Sequence, residues 1–323
     1  MSALRVVLRL KAANILLVFV AVQVVCIVMG LCFPRSFPYL SLNHVQLLLK
    51  SMAPLAILSI GVGILMISGE FDLSVGSNCA LSAYIMAMTY NDGKGIPLLV
   101  AIALALLCGG AIGLFNGVIT TRAKIPSFIV TLGGLMIWRG VLLFVSGTAT
   151  ASFETGKFAG AVFTGSWNVV QAQFVWAVLI GVGAHMLLEK HRLGNHMFSV
   201  GGNQDAARAI GVKTDAVKTK AFIICGMLAA FSGIISSARV NSVSPELGKN
   251  MELQAIAACV VGGLSLMGGV GSILGILLGA ALLATIRDVL TMVRAPGLYL
   301  DLFVGVLIIV AVIFNRITRN KDV

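Results

Sequence analysis

The chain has 323 residues, of which 59% are apolar and only 11% charged, and its mean hydropathy is +1.02. An ordinary soluble domain is about a quarter charged, so this chain has too few charged groups to cover the surface of a water-soluble enzyme. The 36 glycines follow no triplet period and there are only 7 prolines, which excludes collagen-like and disordered chains. The composition predicts a polytopic membrane protein, with an all-α fold.

The net charge of +11 does not point to nucleic acid. Nucleic-acid binders gather Lys and Arg into a stripe with aromatic residues between them, whereas the basic residues here stand at the ends of apolar runs. The six cysteines lie inside or at the edge of such runs and none forms a CxxC pair. We therefore expect free, packed thiols.

Ten apolar runs have the composition of membrane-spanning helices, which need about 20 residues each. They cover residues 14–33, 52–68, 73–88, 96–120, 126–145, 169–188, 221–237, 253–267, 272–286 and 298–314. The first run is too long for the core of a signal peptide and has no small-residue cleavage site, so we expect a retained span. The eighth and ninth runs are short and rich in glycine, and a partly re-entrant path is an alternative for them.

The distribution of basic residues orients these spans, because cytoplasmic loops are enriched in Lys and Arg. With ten spans and both termini in the cytoplasm, 14 of the 23 basic residues fall inside and eight outside, and Arg139 lies within a span. The opposite orientation would reverse that ratio. The pattern therefore favours ten spans with both termini in the cytoplasm.

Two acidic loops each precede a helix rich in small residues. In the first, Glu70 and Asp72 separate the second and third spans. A simple interpretation is that Asp72 or Ser74 caps the third helix; a functional one is a broken helix that lines a transport path. The two interpretations are compatible. The second loop, at residues 244–252, would lie on the opposite side of the membrane, an arrangement compatible with an inverted repeat.

Polar residues inside the predicted spans cost free energy to place in a bilayer, and each has two possible interpretations. Arg139 either extends to the outer interface beside Trp138 or faces the bundle and is paired there. Asn78, Asn116 and Thr131 are the kind of residue that hydrogen-bonds between helices, and a role beside a solute path is the alternative. No acidic residue lies in the middle of a predicted span, which disfavours an ion-coupled secondary transporter acting alone.

The longest polar stretch, residues 189–220, is predicted to be a cytoplasmic loop with a helix of its own. Its pattern indicates a turn at Gly201 and Gly202, a helix over residues 204–210 capped by Asn203, and a C-cap at Gly211. Thr214 is placed to cap the seventh span. A short helix with small side chains suits a groove on a partner protein, and a solvated connector is the alternative.

Signatures of catalysis are missing from the sequence. The nearest approach to a phosphate-binding loop, within residues 202–214, has the wrong spacing before Lys213. The string around Ser265 has one residue too many for a serine-hydrolase elbow. The four histidines have no metal-ligand spacing. We therefore predict no enzyme activity, no catalytic residue and no metal site in this chain.

Four stretches together resemble permease subunits of bacterial ABC importers of the ribose, xylose and galactose type, within the branched-chain amino acid permease superfamily. They are SGEFDLSVGS, IPSFIVTLGG followed by WRG, RLGNHMFSVGGNQDAARAIGV and ELQAIAACVVGGLSLMGGVGSILGILLGA. They occur in the family's order from about Ile67 onward. Each is weak singly, but together they are highly specific.

The resemblance implies a multi-pass protein of the bacterial inner membrane that acts as a permease without an ATPase site. A second permease subunit, identical or different, would pair with it, ABC ATPase subunits would bind ATP and Mg²⁺, and a periplasmic substrate-binding protein would deliver the solute. The expected solute is a monosaccharide or similar small polyol. Alternatives are a nucleoside, the signal autoinducer-2 or a branched-chain amino acid.

Two sets of residues follow as candidates. We expect those that shape or support the path to be Glu70, Asp72, Ser74, Asn78, Asn116, Thr131 and Arg139. By resemblance, the loop that couples the permease to the ATPase carries Gly202, Asn203, Ala206, Ala207, Ile210 and Gly211.

Overall fold

Apolar helices make up most of the folded chain in the computed structural model, which describes residues 13–90, 95–154, 157–167, 169–294, 299, 302, 303, 305, 306 and 309. The helices are α1 (Ala13–Cys32), α2 (Leu42–Ile67), α3 (Val75–Tyr90), α4 (Leu98–Arg122), α5 (Ser127–Ser146), α6 (Lys157–Thr164), α7 (Ala172–Lys190), α8 (Arg192–Gly202), α9 (Gln204–Ala209), α10 (Thr214–Val240), α11 (Met251–Val261) and α12 (Ile273–Met292). The strands are β1 (Ala151–Ser152), β2 (Ser166–Trp167), β3 (Val170–Gln171) and β4 (Ser242–Val243).

Seven described helices are long and apolar enough to cross a membrane: α1, α2, α4, α5, α7, α10 and α12. The helices α3 and α11, with 16 and 11 residues, are shorter than a full span. The predicted tenth span, residues 298–314, and both termini lie largely outside the described residues. The chain is therefore a mostly helical, polytopic membrane protein.

The core is built on α2 and α10, which are the most deeply buried of the seven long helices. The helix α10 packs against α2, α3 and α4, and α2 also packs against α7, α11 and α12. By contrast, α1 and α5 expose most of their apolar side chains. An outward apolar surface of this kind is suited to contact with lipid or with a second subunit.

Glycines allow α4 and α10 to come into direct backbone contact. A Cβ atom on Gly226 of α10 would overlap the carbonyl oxygen of Gly109, and one on Gly113 of α4 would overlap the carbonyl oxygen of Phe222. Small residues at such crossings are the usual means of close helix packing in membranes. The two helices therefore depend on the absence of side chains at these positions.

The long helices run between two ends of the bundle, which we name by one residue at each. At the Glu70 end, α2 finishes, α10 begins, and the amide of Gly269 donates to the carbonyl of Ile67 at 2.9 Å. At the His44 end, α2 begins and His44 Nε2 lies 3.1 Å from Asp288 Oδ2 of α12.

Two short antiparallel ladders add a feature that the all-α prediction did not include. The strand β1 pairs with β4 through Ala151 and Val243, and β2 pairs with β3. Each strand has only two residues. The ladders therefore tie loops together and do not form a sheet layer. The pairing of β1 with β4 lies beyond the last turn of α10, at the His44 end.

The contact between α4 and α10 gives a stability test. Replacing Gly226 with Ala forces the two backbones apart, and overpacking of this kind costs about 1–3 kcal/mol. We expect a lower midpoint of thermal unfolding in detergent, measured by size-exclusion chromatography after heating.

The matched control is Gly183→Ala in α7, because a Cβ atom there meets nothing within 4 Å. This change should leave the midpoint unchanged or raise it slightly, since Ala is favoured over Gly in a helix by about 1 kcal/mol. Equal midpoints for the two variants would contradict the role given to Gly226.

Candidate functional site

The break between α2 and α3 is held by the side chain of Asp72. Its Oδ1 accepts hydrogen bonds from the backbone amide of Ser74 at 2.7 Å and from the Ser74 hydroxyl at 2.6 Å. The carbonyl of Ser74 in turn accepts from the amide of Asn78 at 2.9 Å, so Ser74 is the residue at which the helix starts. Asp72 thus bonds to the residue before α3, whereas an N-cap side chain accepts from the second or third amide of the helix. The capping role of this pair stays a prediction, with the carboxylate near the positive end of α3.

Side chains from α4 and α5 close around this break. Asn116 donates from Nδ2 to Ser74 Oγ at 2.8 Å and to Asp72 Oδ2 at 3.2 Å, and all three residues are at most 1% exposed. From α5, Ser127 Oγ accepts from the amide of Phe71 at 3.1 Å.

Asn78 joins three helices where their backbones are closest. Its Nδ2 donates to the carbonyl oxygens of Gly109 in α4 and Gly226 in α10, both at 3.2 Å, and its Oδ1 accepts from Ser82 at 2.9 Å. This agrees with the interhelical reading of Asn78. Thr131 donates mainly within α5, to the carbonyl of Ser127 at 2.8 Å, and its hydroxyl also lies 3.5 Å from the carbonyl oxygen of Phe71 in the break.

Arg139 faces the bundle and not the lipid interface. Its Nη1 donates to the carbonyl oxygen of Pro245 at 2.5 Å and to that of Leu247 at 3.1 Å. Both acceptors belong to the loop between β4 and α11, so one guanidinium fixes the path of that loop. Of the two readings of Arg139, the structure supports the inward, paired one, with backbone carbonyls as the partners.

The first turns of α3 and α11 meet inside the bundle. A Cβ atom on Gly76 would overlap the carbonyl oxygen of Gly248 and the carboxylate of Glu252. The neighbouring Ser77 donates to the carbonyl of Leu135 at 2.8 Å, the ninth of the 20 residues of α5. The contact therefore lies near the middle of the long helices.

Glu252 is thus a deep, buried acidic residue that the sequence did not reveal. It is 9% exposed and belongs to the first turn of α11. Glu252 directly precedes the eighth predicted span, so it is not an acid in the middle of a span. It is deep because the loop before α11 enters the bundle before the helix begins. The sequence signal was the short length of the eighth apolar run, which indicated a re-entrant path.

A second polar cluster lies at the Glu70 end. Lys218 of α10 donates from Nζ to Glu70 Oε1 at 2.6 Å and to Gln204 Oε1 of α9 at 2.7 Å. The ion pair is only 12% exposed on each side. This cluster, which we call the Glu70 clasp, borders a cleft of about 400 Å³ between the α2–α3 break, the α4–α5 connection and α9.

The polar loop of residues 189–220 contains two short helices. Asn203 Oδ1 accepts from the amide of Ala206 at 2.9 Å, and Gly211 has φ +87°, so the predicted N-cap and left-handed C-terminal residue are confirmed. The turn predicted at Gly201 and Gly202 is wrong, because both residues end the 11-residue helix α8. Backbone packing explains this: a Cβ atom on Gly201 would overlap the carbonyl oxygen of Ile67.

Two further residues of this loop differ from expectation. Thr214 is the first residue of α10 and not its cap; its hydroxyl accepts from Arg208 at 3.1 Å. Ala207 is 2% exposed and packs inward, whereas Ile210 is 78% exposed. Gly202, Asn203 and Ala206 are also exposed, so the end of α8 and the start of α9 face outward, and α9 packs against the bundle through Ala207.

The described residues hold no arrangement of three or more His, Cys, Asp or Glu side chains suited to a metal ion. Within the same part of the chain all six cysteines are free thiols; four are packed in the interior as expected, Cys108 is half-buried and Cys32 is exposed.

Comparison with known proteins identifies the family. Residues 45–312 match the family profile described as branched-chain amino acid transport system / permease component. The chain is 32% identical over 312 residues to the autoinducer 2 import system permease protein LsrC of Photorhabdus luminescens, covering 93% of this chain and 92% of that protein. It is 33% identical over 300 residues to LsrC of Salmonella paratyphi B, covering 91% and 85% of the two chains.

A third relative, LsrC of Yersinia enterocolitica, is 32% identical over 277 residues, covering 86% of this chain and 76% of that protein. These matches include all four stretches on which the resemblance was based. The chain belongs to the family of permease components of branched-chain amino acid transport systems and is a membrane-spanning permease subunit of an ABC importer.

Proposed function

We propose that this permease forms the translocation path for autoinducer-2, a furanosyl solute, or for a closely similar monosaccharide. The observation that carries the proposal is the likeness, over about nine tenths of the chain, to permeases named for autoinducer 2 import. Autoinducer-2 is a small polyol, so it falls within the solute class expected from the ribose-type resemblance. A second permease, ABC ATPase subunits with ATP and Mg²⁺, and a periplasmic binding protein complete the importer.

The proposed topology has ten spans, with the Glu70 end and both termini in the cytoplasm. The support is the charge distribution: Arg122, Lys190, Arg192 and Lys218 belong to elements at the Glu70 end. Such an excess of basic residues is typical of cytoplasmic loops. The domain is then one transmembrane permease unit, with residues 189–220 as its cytoplasmic loop.

In this proposal α9 docks on the ATPase through its outward face. Ile210 supports this role, because an apolar side chain that is 78% exposed beside charged neighbours is a candidate anchor for a hydrophobic groove. Ala206 of α9 lies one turn before Ile210, which directly follows that helix, and is small enough for close approach. Ala207 contributes by fixing α9 to the permease.

The Glu70 clasp is the proposed route by which movement of α9 reaches the path. Lys218 bonds at once to Gln204 of α9 and to Glu70 of the α2–α3 break. The same break contains Asp72 and is bonded to α4 through Asn116. A displacement of α9 by the ATPase therefore acts directly on the residues that precede α3, so one state of the importer can be favoured over the other.

The solute assignment is tested by uptake in a bacterial strain that lacks its own importers for the solutes compared. The strain expresses this permease together with its partner ATPase and binding protein. Labelled autoinducer-2, D-ribose, D-galactose and L-leucine are supplied separately. We expect the fastest uptake for autoinducer-2; uptake of leucine alone would contradict the proposal.

Replacing Ile210 with Asp should uncouple the ATPase. The change removes an apolar anchor and adds charge, and loss of such an anchor costs at least about 2 kcal/mol of binding, or more than tenfold. We expect solute uptake to fall by that factor. The amount of permease in the membrane and its unfolding midpoint should not change, because the side chain makes little contact within the chain.

The conservative variant Ile210→Leu is the control and should keep nearly full uptake. If Ile210→Asp transports as well as the unchanged chain, Ile210 is not part of the docking surface.

If the Glu70 clasp transmits movement, breaking its ion pair should weaken the coupling of ATP hydrolysis to transport. Exchanging the two charged residues should restore that coupling. Glu70→Gln leaves Lys218 without its anion, and breaking a largely buried ion pair costs about 3–5 kcal/mol. In proteoliposomes that contain the full importer, the number of solute molecules transported per ATP hydrolysed should fall severalfold.

The exchanged pair, Glu70→Lys with Lys218→Glu, should recover most of that ratio, since the amide of Gln204 can bond to either charge. A normal ratio in Glu70→Gln, or no recovery in the exchanged pair, would show that the clasp does not transmit the movement.

A further inference from the structure

An exposed charged pair lies on the loop that enters the bundle from the His44 end. Lys249 Nζ donates to Glu246 Oε2 at 2.9 Å, and the two side chains are 67% and 70% exposed. Neither residue belongs to the break between α2 and α3 or to the coupling loop. The role of this pair is therefore open.

The pair lies at the depth of the helix middles. Lys249 follows Gly248, whose backbone contacts Gly76 at the start of α3. Ser77, the next residue of α3, bonds to the ninth of 20 residues in α5. The part of the loop next to Lys249 is thus level with the middle of α5, while its first residues follow β4 at the His44 end.

The loop is also rigid. Gly248 and Asn250 have φ +75° and +62°, and Ser244 bonds through its carbonyl to the amide of Leu247 at 3.0 Å. Arg139 adds its two hydrogen bonds to loop carbonyls. A loop fixed in this way holds the two charged side chains in one place.

An exposed carboxylate and ammonium at this depth exclude lipid as their surroundings. Charged groups at the centre of a bilayer cost several kcal/mol, and they occur where they face the bundle interior or a water-filled cavity. Irregular backbone at membrane depth is tolerated under the same condition. The surface around Glu246 and Lys249 therefore faces water inside the importer.

We infer that Glu246 and Lys249 line the solute path and contact the solute there, as a filter for neutral polyhydroxylated molecules. The carboxylate accepts hydrogen bonds from hydroxyl groups, and the ammonium donates to hydroxyl and ring oxygens. Because the pair is neutral as a whole, it favours a polyol over a charged solute. This inference rests on the proposed function and adds the residues that select the solute.

Labelling of introduced cysteines tests the exposure to water without any knowledge of the solute. Lys249→Cys and Glu246→Cys are each made in a chain that carries Cys32→Ser, because Cys32 is an exposed thiol. The assembled importer in membrane vesicles is treated with a charged, membrane-impermeant methanethiosulfonate reagent. The control is Leu179→Cys, in the middle of α7 and 56% exposed.

Both introduced cysteines should react at least about tenfold faster than Leu179→Cys, because the thiolate forms only where water reaches the thiol. Reaction as slow as that of the control would overturn the inference, since lipid or a second subunit would then cover the pair.

Selection is tested by the relative uptake of autoinducer-2 and D-ribose in Glu246→Gln and Lys249→Gln. Loss of one hydrogen bond to a charged group changes recognition by about tenfold, so we expect the uptake ratio of the two solutes to change by that order. An equal loss for both solutes would assign the pair a structural role and overturn the filter.

The two proposals fail in different ways. If the cysteines react rapidly but no polyol is taken up, the solute assignment is wrong while the water-lined surface stands. If polyols are taken up but the cysteines do not react, only the filter is wrong.

Discussion

The backbone contact between Gly76 and Gly248 is the constraint on which the rest of the site depends. It brings the first turns of α3 and α11 together near the middle of the long helices, and no side chain fits between them. The positive ends of two short helices are thereby directed into the bundle. Glu252 lies at this junction, and Asp72 lies at the start of the break that leads to α3.

The two short helices belong to units that run in opposite directions. The first unit goes from α2 through the Glu70 loop to α3, and the second goes from α10 through the loop of Glu246 to α11. The first loop turns at the Glu70 end, whereas the second enters from the His44 end. This is the arrangement that an inverted repeat produces, and broken helices at the repeat junction are typical of solute sites in transporters.

The sequence predicted the lipid-facing helices best, because their apolar character is continuous. The helix α1 begins and ends one residue from the predicted span. In contrast, α2 begins ten residues earlier than predicted, since His44 and Lys50 lower the hydropathy of a segment that Ser41 nonetheless caps. The helix α8 was missed because Gly201 suggests a turn, although close packing on Ile67 requires that glycine within a helix.

The contacts of the site residues also differ in how far they could be predicted: contacts between near neighbours in the chain could be, and those between distant residues could not. The hydrogen bond that the Ser74 amide donates to Asp72 is local, and residues only two positions apart can be paired from a sequence pattern. The partners of Arg139 and the depth of Glu252 depend on a loop more than 100 residues along the chain from Arg139, which no local pattern encodes. Likewise, the charged side chain that bonds to Glu70 comes from Lys218, at a separation of 148 residues.

In the proposed importer ATP on a partner is the energy source, although two buried acids, Asp72 and Glu252, lie among the spans. Such acids are also what an ion-coupled transporter uses. The most direct measurement is solute uptake into proteoliposomes, with the full importer and ATP or with this chain alone under a proton or sodium gradient. The account predicts uptake of autoinducer-2 only with ATP, the ATPase and the binding protein. Gradient-driven uptake by the chain alone would contradict it.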